Sequence, residues 1–181
     1  MTPFESALGA RFHHLQPQIR QLHGGRAPDW AGDVTVRRSG GVLGWFVARL
    51  SGFPESMDKA PFKIRVEPTE NGERWLRLFG QTQTVSTLGW TKEGGLQETL
   101  GPIQLDLTAS VKADSLLVQV ANARIFATVL LPNFLTPKTS AKIWQDEAGR
   151  YRFDIKASFP LIGQVLHYEG WLRPATASAF A

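Results

Sequence analysis

The sequence has no cysteine, only two methionines and two tyrosines, and no apolar run of membrane-spanning length. Without cysteine, disulfides, thiol catalysis and thiolate metal sites are excluded. The longest apolar stretches, Gly41 to Ala48 and Ile125 to Leu131, fall far short of the ~20 residues a membrane helix requires. The opening Met-Thr-Pro-Phe-Glu-Ser lacks the basic start and apolar centre of a signal peptide, so a soluble, cytoplasmic protein is expected. Charge is not lopsided either: 20 basic residues stand against 16 acidic ones, for a net +4. The densest basic run is Arg37-Arg38, which argues against a nucleic-acid partner.

Signatures of chemistry are missing as well. No Gly-x-Ser-x-Gly elbow and no Gly-x-Gly-x-x-Gly fingerprint occurs. His13 and His14 are adjacent, so on a helix they point about 100° apart and chelate poorly. His23 and His167 can meet only through the tertiary fold, and Asp146-Glu147 sits beside a turn signal, where solvation is expected. No catalytic residue, metal ligand or cofactor is therefore assigned.

What is present is apolar patterning: 43% hydrophobic residues, with six Trp and eleven Phe. A chain of 181 residues fits a single domain, residues 1–181 with a core of about 3–173. Thr2-Pro3-Phe4-Glu5 reads as a capped helix start, and Phe4, Leu8, Phe12 and Leu15 follow at helical spacing. Pro17 to His23 predicts a second short helix closed by Gly24-Gly25, and Gly25 to Gly32 a loop carrying Trp30. Asp33 to Arg38 reads as a strand, and Val42 to Leu50 as an apolar helix.

From Phe62 onward the period is two. Strands are expected over Phe62 to Glu67, around Trp75, over Gln81 to Trp90, Ile103 to Val111, Leu116 to Ala121, Ala141 to Glu147, Tyr151 to Phe159 and Gln164 to Leu172. Asn71-Gly72 signals a hairpin. Helices followed by consecutive amphipathic strands specify an α+β fold. The expected architecture is N-terminal helices packed on a large, curved antiparallel sheet, half-barrel or barrel-like.

The most informative stretch is Gly72 to Gly80. Strand alternation puts Trp75, Arg77 and Phe79 on one face and Leu76 and Leu78 on the other. Both faces are apolar, so the strand is expected to be covered on both sides. Arg77 is the odd member, a permanent charge between two aromatics, and it needs a partner. One reading makes it the anchor for an anionic or aromatic ligand walled by the two rings. The other makes it an ion pair, with Glu169 the foremost candidate and Glu73 the alternative. His167, Glu169 and Trp171 form a second polar island on one face of the last strand, and the two islands could meet. The candidate ligand-binding residues are thus Trp75, Arg77, Phe79, His167, Glu169 and Trp171.

Several of these segments, in this order, resemble a known family. They are Leu15-Gln16-Pro17 with Ile19-Arg20 and Leu22-His23; Arg49-Leu50-Ser51-Gly52-Phe53-Pro54; Trp75-x-Arg77-x-Phe79-Gly80 with Ser86; Gly101-Pro102; and Phe159-Pro160-Leu161-Ile162-Gly163 with Tyr168-x-Gly170-Trp171-Leu172. Together they are similar to the bacterial family called domain of unknown function 4166, from about Phe4 to Leu172. Gln16 stands where that family often has proline or another helix-opening residue, a departure of little expected consequence. The resemblance implies a domain often fused behind a saccharopine-dehydrogenase-like NAD-binding domain, and it implies no activity. The leading expectation is a domain that binds a small, mainly apolar ligand in a curved-sheet cavity. The second is an interaction or regulatory module docking on a dehydrogenase-like partner, with an enzyme of unspecified type third.

Overall fold

The computed structural model describes residues 1–25, 29–41, 54–91, 95–132, 134–160 and 162–175. Helix α1, Pro3–Leu8, begins with the expected capping box: the Glu5 amide donates to Thr2 Oγ1 at 3.3 Å, and the Thr2 amide donates to Glu5 Oε2 at 2.9 Å. The stripe from Phe4 to Leu15 is not one helix. After Gly9, at φ +54°, the chain tightens into a 3₁₀ segment, Gly9–His14, and Phe12 and Leu15 still reach the core. Helix α2 spans Pro17–His23 as the sequence predicts. Gln16 matters more than expected, because its Oε1 accepts the Gln145 amide while the Gln145 side chain accepts the Gln18 amide.

The strands are β1 (Asp29–Arg38), β2 (Met57–Thr69), β3 (Gly72–Phe79), β4 (Thr82–Trp90), β5 (Leu96–Leu100) and β6 (Ile103–Lys112). They continue with β7 (Ser115–Ile125), the two-residue β8 (Val129–Leu130), β9 (Lys138–Gln145), β10 (Tyr151–Phe159) and β11 (Gly163–Pro174). All pairings are antiparallel. β1 pairs with both β2 and β11, and β6 pairs with β7, so the sheet closes on itself. The result is a ten-stranded antiparallel barrel with two short N-terminal helices, β8 hanging on the end of β7. Closure leaves no long free edge among these strands.

Two expectations about the strands are also corrected. Trp30 lies in β1, not in a loop, and is wholly buried. β3 is not covered on both sides: in a closed barrel each strand has one interior and one exterior face, and Leu76 and Leu78 lie half-buried on the outside. The expected helix over 42–50 lies outside the described residues.

The helices close one end of the barrel. Leu8, Phe12, Ile19 and Leu22 are buried there, over the ends of β4, β5, β6 and β9 that carry Leu88, Leu96, Val111 and Ile143. Burying four such side chains contributes roughly 1.5–3 kcal/mol each, which exceeds what two helices of six and seven residues could supply from their own hydrogen bonds. The opposite end carries the turns between β3 and β4, β5 and β6, and β10 and β11.

Candidate functional site

Side chains alternate in and out of the barrel wall, and the inward set decides what the interior can hold. A cavity of about 220 Å³ runs through it. One wall, from β2, β3, β10 and β11, is aromatic: Phe62 stacks near Phe79 (4.5 Å between ring centres) and Phe153 (5.4 Å), and Tyr168 closes edge-on against Phe79 (5.7 Å). The facing wall, from β6, β7 and β9, is aliphatic, with Leu105, Leu107, Val118 and Ala141. An eight-stranded barrel is just wide enough for its own side chains to fill, and the diameter grows with each added strand. Here the aliphatic residues are too short to meet the aromatic ones, and space is left.

Among the described residues, an ion pair enters the cavity lining from β3 and β5. Arg77 points inward with Trp75 and Phe79, as its parity requires. Its Nη1 donates to Ser86 Oγ at 2.7 Å and its Nη2 to Glu98 Oε1 at 3.0 Å, while Ser86 Oγ donates to the same Glu98 oxygen at 2.7 Å. The guanidinium lies 5.2 Å from the Trp75 ring centre. The partner is therefore Glu98, not Glu169. The reason is register: β3, β4 and β5 are consecutive neighbours, and Trp75↔Ser86 and Leu88↔Glu98 bring the three inward groups together. Neither side chain of the pair is more than one-fifth exposed (19% and 17%).

Beneath the helices is a second polar group. His23, at the end of α2, is packed edge-on against Phe4 and shares a 3.0 Å hydrogen bond between Nε2 and the Tyr151 hydroxyl. Burial first, and the positive charge of Arg77 second, lower its pKa to about 3, so the ring is neutral. Among the described residues its Nδ1 has no hydrogen-bond partner. Burial pushes the Tyr151 hydroxyl up as well, and that of Tyr168 to about 12. Glu73, also inward, accepts from Trp75 Nε1 at 3.0 Å, and desolvation raises its pKa to about 7.

His167, Glu169 and Trp171 do not join this site. They occupy the exterior positions of β11, the interior ones being Leu166, Tyr168 and Leu172. On the outer surface His167 Nε2 meets Asp154 Oδ1 at 3.1 Å, and Lys156 holds the other Asp154 oxygen at 3.1 Å. The Arg150 and Arg173 guanidiniums lie 5.4 and 5.7 Å from the Trp171 ring centre. The two islands face opposite sides of one wall, so they cannot meet.

Glu98 was legible in principle. Leu96, Glu98 and Leu100 alternate, so the acid interrupts an apolar face just as Arg77 does. His23 and Tyr151 carried no such signal, since each is also an ordinary end to a helix or start to a strand. At the cavity end away from the helices, Ile103 and Pro137 adjoin a strongly apolar surface. There Phe126, Val129, Leu130 and Phe134 are all more than half exposed.

These features define a closed antiparallel barrel with a largely apolar interior cavity and the Arg77–Glu98 ion pair on its lining. The family follows from the sequence match: residues 15–172 fit the model of the domain of unknown function DUF4166, and the chain belongs to that family. No curated protein matches the chain. Among the described residues, no helix is long and apolar enough to cross a membrane.

Proposed function

We propose that the barrel binds a small, mainly apolar ligand in its interior cavity, without transforming it. The observation that carries this reading is the cavity itself: a space of about 220 Å³ between an aromatic and an aliphatic wall, with Arg77 and Glu98 on its lining and Ser86 bonded to both. Concave, largely apolar sites with a few convergent polar groups are the usual form of small-molecule sites. Trp75, Arg77 and Phe79 belong to the proposed site; His167, Glu169 and Trp171 do not. The test is a thermal-shift and native mass-spectrometry screen across lipids, quinones and aromatic compounds, on the native chain and on Ala141→Phe, which fills the cavity. A ligand that stabilises the native chain and not the filled variant is the expected result. A blank screen on both would remove the reading.

A second reading, an interaction module, draws on the exposed apolar residues between Phe126 and Leu135, since such patches mark contact surfaces. A dehydrogenase-like protein is the partner the family's fusion habit suggests. Co-purification with such a protein, lost when Phe126 and Phe134 are both changed to Ser, would favour it over the first.

A further inference from the structure

We infer that the ligand is uncharged and carries a single hydroxyl or carbonyl group, which meets His23 at the helix-closed end of the cavity; this inference rests on the ligand-binding reading above. Two observations carry it. The first is that the charge in the cavity wall is already neutralised. Arg77 gives one hydrogen bond to Ser86 and one to Glu98, and Ser86 gives its own to Glu98, so the three groups form a closed ring. An anionic ligand drawn to Arg77 would bring a second negative charge beside Glu98. A cationic one drawn to Glu98 would stand beside Arg77. In a water-poor interior either arrangement is costly, because like charges are poorly screened there.

The second observation is Nδ1 of His23, which has no partner among the described residues. The residue is only 3% exposed and lies on the cavity lining, and its other ring nitrogen is engaged by Tyr151. Buried polar atoms are almost always paired, and an orphan at a cavity wall points to a group supplied from outside the chain. With the imidazole neutral, one nitrogen donates and the other accepts. A ligand hydroxyl or carbonyl can satisfy Nδ1 in the corresponding tautomer. The rest of the ligand would extend between Phe79, Tyr168 and the aliphatic wall. For size, an apolar cavity of ~150 Å³ holds benzene, so this one suits roughly nine non-hydrogen atoms by the same proportion.

The test uses three probes of one length, octan-1-ol, octanoate and n-octylammonium, titrated calorimetrically into the native chain at pH 7. A parallel ¹⁵N spectrum follows the histidine ring nitrogens. Octan-1-ol should bind about tenfold or more tightly than either charged probe, a ratio set by the cost of an unpaired buried charge, and should shift the His23 Nδ1 resonance. His23→Phe, which keeps an aromatic ring in place, should weaken octan-1-ol by about the several-fold worth of one neutral hydrogen bond. Binding of octanoate or n-octylammonium as tight as octan-1-ol would overturn the inference and leave the cavity reading standing. So would octan-1-ol binding that leaves the Nδ1 resonance unmoved. If none of the three binds, the inference falls, and a blank result in the broader screen takes the cavity reading with it.

Discussion

Arg77 and Glu98 pair inside the barrel at 3.0 Å, from strands two apart, with Ser86 of the intervening strand bonded to both. Three inward positions on three consecutive strands thus form one polar unit in a largely apolar wall. Its role in stability and its role in binding can be separated by mutation.

Arg77→Met should destabilise the chain by about 2–4 kcal/mol, because Glu98 is left desolvated without its partner. Adding Glu98→Leu should recover most of that loss, since two apolar side chains of similar volume replace a pair whose attraction barely exceeds its desolvation cost. Urea unfolding of both single variants and the double variant supplies the cycle. Additive losses would show that the two residues are not coupled.

Glu73 makes stability fall as pH rises. Its folded pKa, about 7, lies above the 4.5 of an ordinary glutamate. The folded state therefore holds this proton more tightly, and the contribution is present below pH 4.5 and lost as pH rises through 7. Glu73→Gln, whose amide oxygen can still accept from Trp75, should stabilise the chain at pH 8 by about 2–3 kcal/mol relative to its effect at pH 4. Equal effects at both pH values would show that Glu73 titrates normally.

His23 works in the opposite direction. Its folded pKa of about 3 lies below the ordinary 6.5, so its contribution is present above pH 6.5 and lost as pH falls toward 3. Between pH 4.5 and 6.5 the two groups therefore oppose each other, and the native chain's stability should vary little there on their account. His23→Phe should unmask Glu73, giving a stability that declines by up to about 1.4 kcal/mol per pH unit in that window. Glu73→Gln should unmask His23 and give a rise of similar size. Chemical denaturation at half-unit pH intervals would reveal parallel profiles if neither group contributes.

Gly170 should tolerate no side chain. A Cβ there would lie 2.1 Å from the Asp33 carbonyl oxygen and 2.8 Å from the Phe153 ring, so neighbouring backbone as well as core would have to move. Gly170→Val should cost about 3 kcal/mol or more, at the upper end of overpacking effects. Gly149→Ala, at a turn with open space but φ +71°, should cost only about 1 kcal/mol. Thermal denaturation of the two variants side by side distinguishes crowding from backbone strain.

Much of the architecture was written in local pattern. The capping residues Thr2 and Glu5, the restart at Pro17 and the alternation from Phe62 onward predict helices followed by a curved antiparallel sheet, because caps and side-chain periodicity are properties of neighbouring residues. Alternation likewise showed that Trp75, Arg77 and Phe79 share a face and that a charge on that face needs a partner.

What the local pattern could not supply was which face is the inside and which strand stands opposite. Alternation on β11 separates His167, Glu169 and Trp171 from Leu166, Tyr168 and Leu172, yet only closure of β1 onto β11 and of β6 onto β7 turns the first set outward. Trp30 shows the same limit, since its burial comes from the β1 pairing with Ile64 and Pro174 and not from its loop-like flanks. The sequence alone determined that Arg77 must be satisfied. The tertiary register of β3, β4 and β5 decided that Glu98 satisfies it, because the energy of an ion pair depends on a through-space distance that sequence separation does not set.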